Sequence, residues 1–248
     1  MRIVALIVME TQMTILSMEE ILKHYAALLR EVDAWFDRCL SLAVGDISCK
    51  AGCSACCRGL FDITLLDACY LKRGFDRLEP AVRKRVTAMA EERLVRIREV
   101  WPEFTSPYIL NFRPDDHWGQ VMPDDDMTLC PLLGEEGRCL VYDHRPMTCR
   151  LHGLPLMDVG GEVVNYEWCT LNFTAGDPMN RDELKFEFVR LFKDELSLFR
   201  MVTMQLLNRR LNELDTVIPT ALLMDFDRFD WPLWMQNAYP SIVNNNLA

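Results

Sequence analysis

The sequence predicts a mainly α fold: a helical single domain with a loop-rich cysteine-cluster core and a small β-hairpin. Three observations carry that prediction. Apolar residues recur at helical spacing on both flanks, from Ile21 to Cys39 and from Leu184 to Leu207. Periodicity fails in the middle, where Pro102, Pro107, Pro114, Gly119 and Pro123 interrupt any regular element. Eight cysteines crowd between Cys49 and Cys169. The expected organisation is one domain over 1–248, with a helix over 17–42, a metal-binding core over about 46–173 and a long helix over about 180–214.

In chain order, the apolar heptamer Ile3–Met9 is too short to cross a bilayer, which needs about 20 residues. It also lacks a small-residue cleavage site before Glu10. It reads as a strand or an upstream extension, and cytoplasmic residence is the expectation. Ser17-Met18-Glu19-Glu20 is a capping box, and the helix behind it runs to about Leu42, where Gly45 and Asp46 stop it. Arg58 to Ile63 reads as short and irregular. Thr64 opens a second helix that ends near Gly74, and Glu79-Pro80 a third that reaches Trp101. The mixed charges of the third, Arg93 among them, read as a solvated face. Pro102 to Leu129 reads as a long loop that could lid a site, with Asp124 to Asp126 as a solvated acidic turn. Gly160-Gly161 between Leu154–Met157 and Val163–Tyr166 predicts a hairpin. Asp177-Pro178 opens the last long helical pattern. The aromatic tail through Trp231, Trp234 and Tyr239 is expected to pack back on the body.

Composition narrows the function classes. Half of the 248 residues are hydrophobic and 26% are charged, so the chain can bury a core. A formal charge of −10 argues against a protein that lives on phosphate contacts, so neither nucleic acid nor an anionic membrane is an expected partner. There is no G-x-S-x-G, H-E-x-x-H, P-loop or G-x-G-x-x-G. Four histidines, His24, His117, His144 and His152, give Ser/His/Asp chemistry little to draw on.

The cysteines carry the chemistry. Cys39 and Cys69 sit alone in apolar helical patterns and read as packing residues. The other eight fall into C-x3-C-x2-C-C (Cys49, Cys53, Cys56, Cys57) and C-x8-C-x9-C-x19-C (Cys130, Cys139, Cys149, Cys169). Clustered thiols without an export signal point to metal ligands rather than disulfides. Short spacings let neighbouring thiolates turn toward one ion, as in zinc and iron–sulfur sites. Adjacent Cys56 and Cys57 cannot easily face the same way in an extended segment, so either the backbone turns sharply or they serve different centres. Eight thiolates suffice for two four-thiolate sites, or for one iron–sulfur cluster and one zinc. Lys50, Arg58, Arg138, Arg145 and Arg150 stand beside the ligands in sequence and could donate to sulfur. Cys149-x2-His152 has ligand-like spacing, although eight cysteines leave no need for a histidine.

These motifs resemble those of the YkgJ-type cysteine-cluster family, also called CxxCxxCC. Cys49–Cys57 resembles its opening motif, with three residues rather than two between the first pair. Cys130-Pro131-Leu132-Leu133 resembles the second signature, and Gly137 to Arg150, with Tyr142 and Arg145-Pro146 ahead of Cys149, the third. Trp168-Cys169 supplies the last cysteine. The resemblance implies metal ions as the partners, bound as zinc or iron. It also implies a link to flagellin lysine N-methylases, a relative type associated with an iron–sulfur cluster and methyl transfer, so a 4Fe-4S cluster is one form in which iron could be held here. Three readings follow: a zinc- or iron-chelating protein, an iron–sulfur-dependent enzyme, and a zinc-stapled interaction module. Cys49-x3-Cys53-x2-Cys56 also matches the spacing of radical S-adenosylmethionine enzymes, but no alternating strand–helix pattern follows it.

Overall fold

In the computed structural model, residues 16–50, 52–111, 118–123 and 125–238 are described. The expected strand or extension at Ile3–Met9 and the ring of Tyr239 lie outside them. The chain is mainly helical, with two small two-stranded antiparallel sheets among the described residues.

Helix α1 (Met18–Leu42) is the longest. The Ser17 capping box is present in both directions: the Ser17 side chain accepts from the Glu20 N–H, and the Glu20 carboxylate accepts from the Ser17 N–H at 2.7 Å. The buried stripe Ile21, Leu22, Tyr25, Leu28, Leu29, Val32, Trp35 and Cys39 has helical spacing and faces α6 (Phe188–Leu207) and α5 (Met147–Leu151). Helix α2 (Leu65–Phe75) starts at an N-cap Thr64, whose hydroxyl accepts from the Asp67 N–H at 3.1 Å. It packs on α6 and on α7 (Ile218–Leu223); α3 (Pro80–Val100) also packs on α7. Cys39 and Cys69 are buried in the core, as the apolar pattern implied. Trp231, at the start of α8 (Trp231–Ala238), is buried and stacks on Phe226.

The structure corrects the sequence reading in three places. The helix expected over about 180–214 is broken. Two 3₁₀ turns, Pro178–Asn180 and Asp182–Leu184, precede α6, which runs only over Phe188–Leu207. Asp177 caps the first turn by accepting from the Met179 N–H at 2.8 Å, and Asn208 stops α6 in the left-handed conformation (φ 53°). The apolar rhythm persists because Leu184, Leu211 and Leu214 are buried from irregular backbone. Second, the segment read as irregular ends in β1 (Asp62–Thr64). It pairs antiparallel with β4 (Asp215–Val217), with Ile63 opposite Thr216. Third, Arg93 and Asp126 do not stand in solvent: they form a largely buried ion pair that ties the loop after Pro123 to α3. The predicted hairpin is present as β2 (Leu156–Met157) and β3 (Val163–Asn165). A short helix, α4 (Trp118–Val121), interrupts the long loop. No helix among the described residues is long and apolar enough to cross a membrane.

Candidate metal centre

All eight cysteines are free, and each is partly exposed to solvent. The first four lie on turns rather than on a regular element. Cys53 N–H donates to Lys50 C=O at 2.9 Å, and Cys57 N–H to Ser54 C=O at 3.0 Å. This sharp turning lets the thiols of adjacent Cys56 and Cys57 meet, and one hydrogen-bonds the other.

The second set begins on a tight β-like loop. Leu140 N–H donates to Leu132 C=O at 2.8 Å, Gly134 N–H to Arg138 C=O at 2.8 Å, and Leu133 bridges Cys139. Cys130 and Cys139 therefore flank one loop. Cys149 sits on α5, whose first N–H, from Met147, donates to the buried Asp67 carboxylate at 2.8 Å. Tyr25 Oη donates to the same Asp67 oxygen at 2.6 Å. Asp67 thus fixes the helix that carries Cys149 to α1 and α2.

Two backbone contacts bring the halves together. Cys130 N–H donates to Cys57 C=O at 3.0 Å, and Gly59 N–H to Thr128 C=O at 2.9 Å. Gly137 lies at φ 71°, and a Cβ there would meet Gly52 C=O at 2.6 Å, so the two cysteine loops touch where only glycine fits. Cys169 arrives by a third route. Its N–H donates to Gly153 C=O at 3.2 Å, and Asn172 stands behind it. Asn172 is 1% exposed. Its Nδ2 donates to Gly153 C=O at 2.7 Å and to Cys49 Sγ at 3.5 Å, while its Oδ1 accepts from Ser48 N–H at 2.8 Å. One amide therefore gathers the start of the first set and the approach to Cys169.

The thiols feel one another. Burial pushes the Cys49 thiol up, and the charges of Cys53, Cys169 and Cys56 add to that. A hydrogen bond with Cys57 drives Cys56 far up, and the same bond lowers Cys57. Cys57 also feels Cys130, Cys149 and Cys139. Burial pushes Cys130 up to about 12, and raises Cys139 and, further still, Cys149. Buried thiols of this kind take on charge readily only with a cation beside them. Arg145 and Arg150 supply part of that charge: both lower Cys139, and Arg145 also lowers Cys56 and Cys149. The donor set is soft, unpaired and charge-hungry, which suits zinc or iron. Among the described residues no three His, Cys, Asp or Glu side chains are already drawn together in metal-holding positions.

The histidines stand apart from this chemistry in different ways. His144 stacks on Tyr70 at 4.8 Å, touches Arg77 at 3.3 Å and crowds Gly74, all on the α2 side. His152 faces Phe61 at 5.6 Å, and burial lowers its pKa. It lines a cavity of about 340 Å³ together with Asp67, Gly153, Trp168, Glu195 and Asp215.

Sequence reasoning missed Asn172, Asp67 and Asp33, the partner of Arg150 and Arg145. No local pattern marks them. Each matters through a residue at least 19 positions away in the chain, as Asn172 and Gly153 illustrate.

A scan against family models matches residues 48–170 to the family described as "CxxCxxCC: Putative zinc- or iron-chelating domain". No curated protein and no solved structure matches the chain.

Proposed function

We propose, from the premise that residues 48–170 belong to the CxxCxxCC family, that this protein chelates zinc or iron at two thiolate centres. Cys49, Cys53, Cys56 and Cys169 would hold one ion, and Cys57, Cys130, Cys139 and Cys149 the other. The observation that carries this reading is the way the thiols sort: Cys49 feels Cys53, Cys56 and Cys169, whereas Cys57 feels Cys130, Cys139 and Cys149, with Cys56 at the junction because it also reaches Cys130. The split falls between adjacent residues whose side chains are bound to each other, so the centres would be neighbours.

Bound zinc would supply a closed structural or Lewis-acid site, and bound iron a redox-active one. The chain's own residues do the rest. Asn172 donates to Cys49 sulfur and holds it beside Cys169. Asp67 fixes the helix that presents Cys149. Arg145 and Arg150 offset thiolate charge that the loops could not otherwise shelter.

Anaerobic purification followed by metal and sulfide analysis and a visible spectrum tests the reading. Two equivalents of zinc in colourless protein support paired four-thiolate sites. Broad visible absorbance with stoichiometric iron and sulfide supports an iron–sulfur centre in one or both. Absence of any stoichiometric metal after loading with either ion overturns the proposal.

A second reading, in which the metal acts on a bound molecule, is favoured by the 340 Å³ cavity. Gly153 lines it, and a Cβ on Gly153 would stand 3.5 Å from Cys49 Sγ and 3.8 Å from Cys169 Cβ. A bulky reagent confined to that cavity would perturb the spectrum of cobalt substituted at the first centre. An unchanged spectrum with the reagent bound would sink this reading.

A further inference from the structure

We propose that Arg145 is the shared counter-charge of the two thiolate sets and keeps its Nε–H for a metal-bound sulfur. This rests on the two-centre reading above.

Arg93 reaches Cys130 but is tied to Asp126, and the two arginines that reach Cys139, Arg145 and Arg150, are employed differently. Each nitrogen of Arg150 has an acceptor: Nε donates to Arg145 C=O at 3.1 Å, Nη2 to Asp143 C=O at 2.9 Å, and Nη1 to Asp33. Arg150 is committed to the fold. Arg145 is held less by hydrogen bonds than by stacking. Its guanidinium lies 3.8 Å from the Tyr142 ring centre, with Arg138 at 4.6 Å from the same ring, and Nη2 is 3.9 Å from Asp33. Its Nε is shut away from solvent with no acceptor. A buried donor of this kind normally has a partner, so one left without invites a missing acceptor. Metal-bound thiolate sulfur is such an acceptor.

The place of Arg145 matters as much as its free N–H. Its charge reaches Cys56 of the first set and Cys139 and Cys149 of the second. Each divalent ion with four thiolates carries a net charge of about −2. Two such centres side by side repel, and more strongly in a half-buried loop than in water. A guanidinium at the junction relieves that repulsion, and the relief is felt when the second ion enters.

The test is a competition titration of reduced, metal-free protein with Zn²⁺ against a chromophoric chelator. Wild type should take two equivalents. Arg145→Met should bind the first within about twofold of wild type and the second about tenfold more weakly, the scale of one screened charge contact. Arg145→Lys, which keeps the charge and lacks Nε, should fall between them. It also keeps the experiment readable if the Met variant fails to fold. Arg228→Met, which removes an arginine whose side chain is 89% exposed and which lies outside the cysteine segments, should match wild type. A second equivalent of unchanged affinity in Arg145→Met overturns the proposal. So does equal weakening of both equivalents, which would mark Arg145 as structural, or a Lys variant no better than Met. A wild type that saturates below two equivalents instead overturns the two-centre reading and takes this inference with it.

Discussion

The two halves of the cysteine site are built differently. Cys130, Cys139 and Cys149 pack against the main hydrophobic core; Cys49, Cys53, Cys56 and Cys57 are not among the residues packed there. The first three are part of what folding makes. Asp67 anchors α5, and the Leu132–Leu140 loop closes on itself through its backbone. The other four ride on turns laid over that frame. They are held by Gly137 against Gly52, by the Cys130–Cys57 backbone bond and by Asn172. Hence a lesion in the frame should cost stability and metal together. A lesion in the overlay should cost metal retention while the fold survives.

The largest effect should come from Asp67→Ala. Asp67 is 2% exposed and accepts from Tyr25 Oη and Met147 N–H. Removing it strands both donors in the core, at about 1–3 kcal/mol each. Thermal melting should fall by about 2–4 °C for each kcal/mol in a chain of this size. Both metal equivalents should weaken together. Retention of wild-type melting would show that Asp67 does not anchor α5.

Next comes a change in the frame that should stabilise it at high pH. Glu195, on α6, lines the same cavity, and burial together with the charge of Asp67 raises its carboxyl from 4.5 to about 8. Between those values the folded protein holds a proton that the unfolded chain has released. The contribution is therefore fully present below pH 4.5 and drains away as pH rises through about 8. Wild type should lose melting temperature from pH 5 to pH 8. Glu195→Gln should flatten that slope and melt higher at pH 8, by roughly 1–3 kcal/mol in stability on the usual linkage scale. Parallel slopes in the two proteins would remove Glu195 as the titrating group.

How much of this was legible in the sequence follows the same division. Elements marked by local chemistry read through: the Ser17–Glu20 box, the apolar stripe of α1, the Gly160-Gly161 hairpin and the helix start at Thr64. The cysteine spacing left two outcomes for Cys56 and Cys57, a sharp turn or service to different centres; the turn is present, and the division between centres is our proposal. What could not be read is whatever depends on partners distant in the chain. Arg93 and Asp126 looked like solvated charges because each was judged beside its own neighbours. The break before α6 was hidden because Leu184 stays buried and Trp35 Nε1 donates to its carbonyl at 2.8 Å, so the apolar rhythm outlives the helix. Asn172 is a lone amide just beyond the family match, and nothing near it announces a role.

Turning to the seam where the overlay rests on the frame, Gly137→Ala should leave the core intact and push the two cysteine loops apart. The new methyl would meet Gly52 C=O at 2.6 Å, at a backbone angle (φ 71°) that side chains seldom adopt. The cost is about 1–3 kcal/mol, much of which the loops can shed by separating. Helical signal should persist while the half-life of metal against a chelator drops severalfold. If melting falls as far as in Asp67→Ala, the loops belong to the frame and the distinction fails.

The smallest expected stability change, and the sharpest separation of the two regions, comes from Asn172. Asn172→Ala removes the donor to Cys49 sulfur and the ties to Ser48 and Gly153. Asn172→Asp keeps the acceptor for Ser48 but faces a carboxylate to the thiol. Both should cost about 1 kcal/mol in metal-free protein, the usual net worth of such hydrogen bonds. They should part company in metal binding. Ala should weaken the first centre modestly, whereas Asp should weaken it further and raise the pH needed for loading, because a negative group beside Cys49 holds its proton on. The second centre, anchored through Asp67, should load as in wild type. Equal loss at both centres, read from stepwise cobalt spectra, would mean that Asn172 supports the whole site and that the two sets are not independently built.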